Sequence, residues 1–431
     1  MTSALLTDRY ELTMIDAAIG SGRHDRECVF EMFARRLPDG RRYGIVAGTG
    51  RLLELLAAFR FSDADLSWLR AHQVVRPATI EWLADYRFSG SIRGYQEGEV
   101  YFPGSPLLVV EGGFAEAVLL ETLALSVFNY DSAVASAAGR MVTAADGRPL
   151  VEMGSRRAHE GAAVAAARAA FIAGFGATSN LEAGRTWGVP TMGTAAHAFT
   201  LLHDTEEEAF EAQVAAMGTG TTLLVDTYDV EAAVSLAVKV AGTKLGAVRI
   251  DSGDLPVLVK NVRTQLNRLG ATDTKITVTN DLDEYTIAAL RAAPVDSFGV
   301  GTSVVTGSGH PAAGMVYKLV SRRSDDGEWV SVAKRSAAKG TVGGMKTPRR
   351  STEHGVAVAE TIYVGEAPEP TEGQRPLLVP LVSDGQPNAE FRGIDGTVLA
   401  RDHHAMAVAE LPVDALRLSH GDPAVPTIYR F

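Results

Sequence analysis

At 431 residues the chain is long enough for about three domains of ordinary size, or two if one is as large as a barrel. Hydrophobic residues make up 46% and charged residues 22%, a globular balance that excludes disordered and collagen-like chains. Acidic residues outnumber basic ones 52 to 41, and the net charge of -11 gives no positive field for a nucleic-acid backbone, so no nucleic-acid partner is expected.

From Met1 to Tyr10 there is an acidic Asp8 and no basic-then-apolar run, and no unbroken apolar stretch of about 18 residues occurs. Neither a signal peptide nor a membrane span is expected. Cys28, the sole cysteine, can make neither an intramolecular disulfide nor a cysteine zinc site, which points to a reducing compartment and a cytoplasmic location. Residues 1–120 mix helical stretches with alternating segments such as Tyr101 to Val110, and are expected to begin an α+β domain.

Residues 121–344 alternate short apolar runs with helical patterns. The strand-like runs are Val151 to Met153, Val189 to Met192, Thr222 to Val225, Ala247 to Ile250, Lys275 to Val278 and Ser297 to Val300. Short runs that are apolar on both faces and bounded by turn residues match buried parallel strands. Between them, Asp204-Thr205 before Glu206, Glu207 and Glu208 marks a helix start, and Leu255 to Leu269 and Glu284 to Ala292 carry helical apolar spacing. Strand starts at 189, 222, 247, 275 and 297 lie about 22 to 33 residues apart, the length of one βα unit. A parallel α/β core is predicted. Residues 345–431, rich in Pro, Gly and short β-like runs, are expected to return to the α+β domain. Ser336 to Gly355, with Lys339, Lys346, Arg349 and Arg350 among glycines, reads as a mobile basic loop.

Polar and glycine residues cluster just past the strand-like runs, where α/β proteins build their sites. Gly299-Val300-Gly301-Thr302-Ser303 suits a phosphate, or is a turn that needs glycine for positive φ. Arg249 to Asp254 sets a guanidinium and a carboxylate on opposite sides of a strand end, suited to a phosphate and a ribose diol; the alternative is a local ion pair and a helix N-cap. His197 falls one strand before Asp226, so a carboxylate can orient the imidazole and leave its other nitrogen as a nucleophile, although a lone histidine is more often a buried hydrogen-bonding group. Asp226 and Asp251 offer oxygen ligands permissive for magnesium. No GxxxxGK[ST], HExxH or paired CxxC occurs. Residue chemistry alone stops at a phosphorylated-sugar or nucleotide enzyme.

Five longer motifs carry a resemblance further. Leu5 to Met14 (LLTDRYELTM), Gly193 to His197 (GTAAH), Val225 to Tyr228 (VDTY), Arg249 to Leu255 (RIDSGDL) and Gly299 to Thr306 (GVGTSVVT) resemble nicotinate phosphoribosyltransferases. Matches at Thr178 to Asn180 and Gly314 to Leu319 extend the likeness over most of the chain in order. The resemblance implies an irregular α/β barrel with an additional α+β sandwich domain built from the N- and C-terminal segments, assembled as a homodimer with shared active sites. It implies transfer from phosphoribosyl pyrophosphate to nicotinate, with Mg²⁺ and with ATP hydrolysed through a phosphohistidine.

Carried over residue by residue, His197 matches the phosphorylated histidine and Asp226 the carboxylate that orients it. Arg249 would contact the phosphate and the pyridine, Asp251 the ribose hydroxyls with Ser252 beside it, and Gly301 with Thr302 the 5′-phosphate. Tyr10 would stack on the ring across the dimer, opposite Met153, and Arg156 would line that pocket. Related nicotinamide enzymes place an aspartate where Ser179 stands, so Ser179 with Arg156 or Arg157 favours the acid. The pattern departs at Met153 (usually Phe), at Ala198 (commonly Ser) and at Thr279-Asn280-Asp281 (usually Ser-Gly-Asp), the last on the phosphate side of the site. Metal ligands stay unassigned. The alternatives are a nicotinamide or quinolinate phosphoribosyltransferase and a non-catalytic metabolite-binding relative; joint retention of His197, Asp226, Arg249 and Asp251 argues against the last.

Overall fold

The structure, a computed structural model, describes residues 4–334 and 340–431. The chain divides into two compact units, one running to Ser136 and again from His310 to Phe431, the other from Ala137 to Gly309.

In the second unit the strands are β1 (Leu150–Glu152), β2 (Ala177–Thr178), β3 (Thr222–Leu224), β4 (Ala247–Ile250), β5 (Lys275–Val278) and β6 (Ser297–Val300). They form a six-stranded parallel sheet in the order β2-β1-β6-β5-β4-β3. Val248, Ile250, Ile276, Val278, Phe298 and Val300 are all fully buried, which is why these runs are apolar throughout instead of alternating. Thr205 and Glu208 make a reciprocal capping box at the start of helix Glu206–Met217, where three glutamates meet the positive end of the dipole. Helix Leu255–Arg268 buries Val259, Val262 and Leu266 along one face.

One expected strand is reduced. Of Val189 to Met192 only Thr191 pairs, as an isolated parallel bridge to Thr178, and Pro190 has no N–H for a further ladder bond. The strand that sequence patterning missed is β2, only two residues long. The segment after Thr191 reaches the far side of the sheet: Thr194 and Ala195 accept from Arg249 of β4, and His197 meets Thr227 beyond β3. Residues 191–197 therefore span the opening between the two edge strands of the curled sheet.

The first unit holds a seven-stranded antiparallel sheet with Leu108–Gly113 at its centre and Glu27–Ala34 beside it, and a four-stranded sheet built on Lys346–Glu353 and Val356–Val364. Met315–Arg323 pairs with Glu27–Ala34 from Cys28 to Ala34 and belongs to the first unit, the second ending at Gly309. The run Phe114–Ala145 is long and apolar enough to cross a membrane, but 67% of its apolar window is buried within the protein, as in a core helix.

The expected basic loop is corrected. Lys339 lies outside the described residues, whereas Lys346, Arg349 and Arg350 are buried in the strand Lys346–Glu353. Lys346 pairs with Glu31 at 2.6 Å, and Arg350 pairs with Glu99 at 2.8 Å and Glu360 at 2.6 Å. Arg349 donates to the Pro368 carbonyl and lies over the Tyr363 ring, so two of the three cations are met by buried carboxylates and the third by a backbone oxygen, a pattern that local composition does not reveal.

Candidate active site

In the barrel unit the predicted site residues follow the C-terminal ends of neighbouring strands: Ser179 after β2, Met153 after β1, Gly301 after β6, Asp281 after β5, Asp251 after β4 and Asp226 shortly after β3. Parallel order puts all these ends on one side of the sheet.

The centre is a hydrogen-bonded cluster. Oδ2 of Asp226 accepts from the backbone N–H of Asp251 at 2.8 Å and from the Ser252 hydroxyl at 2.6 Å. Oδ1 of Asp226 is buried without a hydrogen-bond partner and lies 3.8 Å from Nε2 of His197; Oδ2 of Asp251 lies 3.9 Å from the same nitrogen. Nδ1 of His197 sits 3.0 Å from the Thr227 hydroxyl. The ring is thus held by Thr227, with the two carboxylates near but beyond hydrogen-bond length. The imidazole, expected to take its orientation from Asp226, takes it from the next residue instead.

Arg249 donates through Nε to Thr279 Oγ1 at 3.0 Å and through Nη1 to Thr194 Oγ1 at 2.6 Å, and its Nη2 pairs with Asp251 at 3.3 Å. Arg249 and Asp251 therefore share one side of the strand end, not opposite sides, as i and i+2 residues of a strand must. The local ion pair exists, but Asp254 makes no side-chain cap to the helix that follows.

At the other edge, Glu152 is fully buried and accepts from the Thr178 hydroxyl at 2.6 Å and from the N–H of Gly154. Burial raises its carboxyl above the usual range, partly opposed by these two donors. It thereby joins the turn Ser155–Arg157, which exposes Arg156 and Arg157, to the loop carrying Ser179, and Asn180 adds a 3.0 Å bond to Ser155. Gly299 and Gly301 do not have positive φ. Gly299 is required for close approach, since a Cβ there would lie 2.7 Å from both Met153 Sδ and Thr279 Cγ2.

Other predicted residues stand apart. Asp281, at φ 32°, and Thr302, opening the short helix Thr302–Val305, are exposed, and neither hydrogen-bonds to the cluster among the described residues. Tyr10 lies in the first unit on helix Arg9–Gly20, 45% exposed. Burial of its hydroxyl, and then the charge of Glu121, raise its pKa. Thr194, Thr227, Thr279 and Glu152 were missed as site residues. The three threonines each lie within three residues of a predicted one, and that adjacency was the available signal.

No group of three or more His, Cys, Asp or Glu side chains fit to hold a metal ion occurs among the described residues. Both oxygens of Asp251 and one of Asp226 already accept hydrogen bonds. The residues present do not form a magnesium cage.

Fold and cluster together define an α/β-barrel protein with a histidine, two carboxylates and a guanidinium at its strand ends. The nicotinate phosphoribosyltransferase N-terminal domain family matches residues 5–129. Nicotinate phosphoribosyltransferase pncB1 of Mycobacterium tuberculosis is 58% identical over 435 aligned residues, 99% of this chain and 95% of the relative. The nicotinate phosphoribosyltransferase of Bacillus subtilis is 37% identical, covering 87% of this chain and 78% of its own length. The crystal structure of human nicotinic acid phosphoribosyltransferase superposes with a TM-score of 0.82 at 26% identity, over 98% of this chain and 97% of that one. The chain belongs to the nicotinate phosphoribosyltransferase family.

Proposed function

We propose that this chain is an enzyme that joins nicotinate to phosphoribosyl pyrophosphate, giving nicotinate mononucleotide and pyrophosphate in NAD salvage. The observation that carries the reading is the single cluster of Arg249, Asp251, Asp226 and His197 at the strand ends, in a chain whose relatives bear that name. The pyridine nitrogen attacks C1′ of the ribose; its lone pair forms the C–N bond as the bond to pyrophosphate breaks, and positive charge builds on the sugar. Asp251, assigned to the ribose hydroxyls, would stabilise that charge, and Arg249 would pair with the anionic groups. Gly301 and Thr302 are assigned to the 5′-phosphate with Asp281 on the same side, and Ser252 to the ribose beside Asp251.

ATP hydrolysis is coupled through phosphorylation of His197. With its proton on Nδ1 and donated to Thr227, the imidazole has its lone pair on Nε2, which attacks the γ-phosphorus of ATP and releases ADP. Asp226 and Asp251, at 3.8 and 3.9 Å, offset the positive charge of the modified ring. Water later cleaves the N–P bond to give phosphate. Magnesium, entering on phosphate oxygens, would neutralise charge on the leaving pyrophosphate.

Ser179 with Arg156 and Arg157 receives the carboxylate of nicotinate. Met153 covers one face of the ring and Tyr10 of a second copy the other, in a homodimer with shared sites. The lone buried thiol of Cys28 suits a cytoplasmic enzyme. The test is product formation from phosphoribosyl pyrophosphate and Mg²⁺ with nicotinate or nicotinamide, each with and without ATP. ATP-stimulated turnover of nicotinate alone is expected. Turnover of nicotinamide overturns the acid pocket, and turnover of neither overturns the enzymatic reading.

A further inference from the structure

We infer that Thr279 is a positioning residue that aims Arg249 and Asp251 at the phosphoribosyl group with one hydroxyl. The inference rests on the phosphoribosyl transfer proposed above and adds a residue to it. Thr279 Oγ1 accepts from Nε of Arg249 at 3.0 Å and donates to Oδ1 of Asp251. The same two side chains meet directly, Nη2 to Oδ2, at 3.3 Å. Arg249, Asp251 and Thr279 thus close a ring of three contacts. Neither charged group can swing away without breaking the bond to the hydroxyl as well as the ion pair.

The hydroxyl is itself held. The backbone N–H of Thr279 donates to Ile250 O at 3.0 Å, anchoring the residue to β4 beside the groups it orients. Its methyl group occupies the space over Gly299, where an added Cβ would lie 2.7 Å from Thr279 Cγ2 and 2.7 Å from Met153 Sδ. A β-branched side chain has few χ1 choices, and a methyl seated on a glycine removes another. With Cγ2 fixed on β6, Oγ1 faces β4. A guanidinium and a carboxylate left to themselves would spend part of their time with water; one rigid hydroxyl between them preserves the geometry before substrate arrives. Arg249 still has Nη1 on Thr194, so loss of Thr279 turns the guanidinium about a remaining contact and does not free it.

The test compares Thr279→Val, which keeps the shape and removes the hydroxyl, with Thr279→Ser, which keeps the hydroxyl and removes the methyl. Phosphoribosyl pyrophosphate binding is measured by calorimetry, and the KM for each substrate is measured separately. Thr279→Val is expected to bind phosphoribosyl pyrophosphate about ten-fold more weakly, since a bond to a charged group is lost on each side, with a smaller rise in the KM for nicotinate, which Arg249 also contacts, and at most a small fall in melting temperature. Thr279→Ser is expected to recover most of the binding. A merely structural threonine would lower the melting temperature and leave the two KM values unsplit. A folded Thr279→Val protein that binds phosphoribosyl pyrophosphate like wild type overturns the inference. Wild-type protein that binds this substrate yet converts neither pyridine would sink the reaction assignment, while the Thr279→Val binding deficit would still support the role of Thr279.

Discussion

The backbone N–H of Asp251 donates to Oδ2 of Asp226 at 2.8 Å, so the carboxylate after β3 is fixed by the backbone at the end of β4. The bond leaves the other oxygen of Asp226 buried, without a partner, and facing His197. An unsatisfied buried carboxylate oxygen is costly, and a positively charged imidazole is the group that would relieve the cost.

That relationship sets the first expectation. Asp226→Asn keeps the shape but removes the charge, and should slow phosphoenzyme formation from labelled ATP by roughly 10- to 100-fold, whereas His197→Ala should abolish it. Stable labelling of the His197→Ala protein would show that the phosphorylated residue lies elsewhere.

Ser179 sits in the loop that Glu152 ties, through Thr178, to the turn bearing Arg156 and Arg157. A carboxylate at position 179 would repel the acid and accept from an amide, so Ser179→Asp should lower turnover of nicotinate and raise the share of nicotinamide product. Competition between the two pyridines, resolved by chromatography of the mononucleotides, measures the ratio. An unaltered ratio would remove Ser179 from the specificity pocket.

Glu11 is fully buried and hydrogen-bonded to Thr7 and Thr122, and burial pushes its carboxyl up to about 7. Because the folded protein holds this proton more tightly than the unfolded chain, the contribution of Glu11 is fully present below the ordinary glutamate range and declines as pH rises through about 7. Glu11→Gln should therefore flatten the fall in melting temperature between pH 5 and 7. Equal slopes for the two proteins would count against the shifted carboxyl.

Lys346 and Glu31 form an almost fully buried pair at 2.6 Å. Lys346→Met leaves Glu31 without its cation and should cost about 3–5 kcal/mol in denaturant unfolding, while Glu31→Gln combined with Lys346→Met should recover part of the loss. Wild-type stability of the single variant would mean that the pair is not buried in solution.

The sequence by itself determined the parallel α/β core, because strands buried on both faces are written as short apolar runs that need no knowledge of their neighbours. It also marked the helix start at Thr205 and the polar clusters around Asp226, Asp251 and Gly301, since caps and strand-end turns are local chemistry. Tertiary structure decided the rest. The charges of Lys346 and Arg350 belong to a buried strand because acids arrive from distant segments, Glu31 standing 315 residues from Lys346 and Glu99 standing 251 from Arg350. Met315–Arg323 left the barrel unit because its hydrogen-bonding partner is the N-terminal strand Glu27–Ala34. The choice of Thr227 over Asp226 as the group that holds His197, and of Thr279 as the link between Arg249 and Asp251, turns on distances of about an ångström between loops. No local pattern encodes such distances; they follow from how neighbouring strands align.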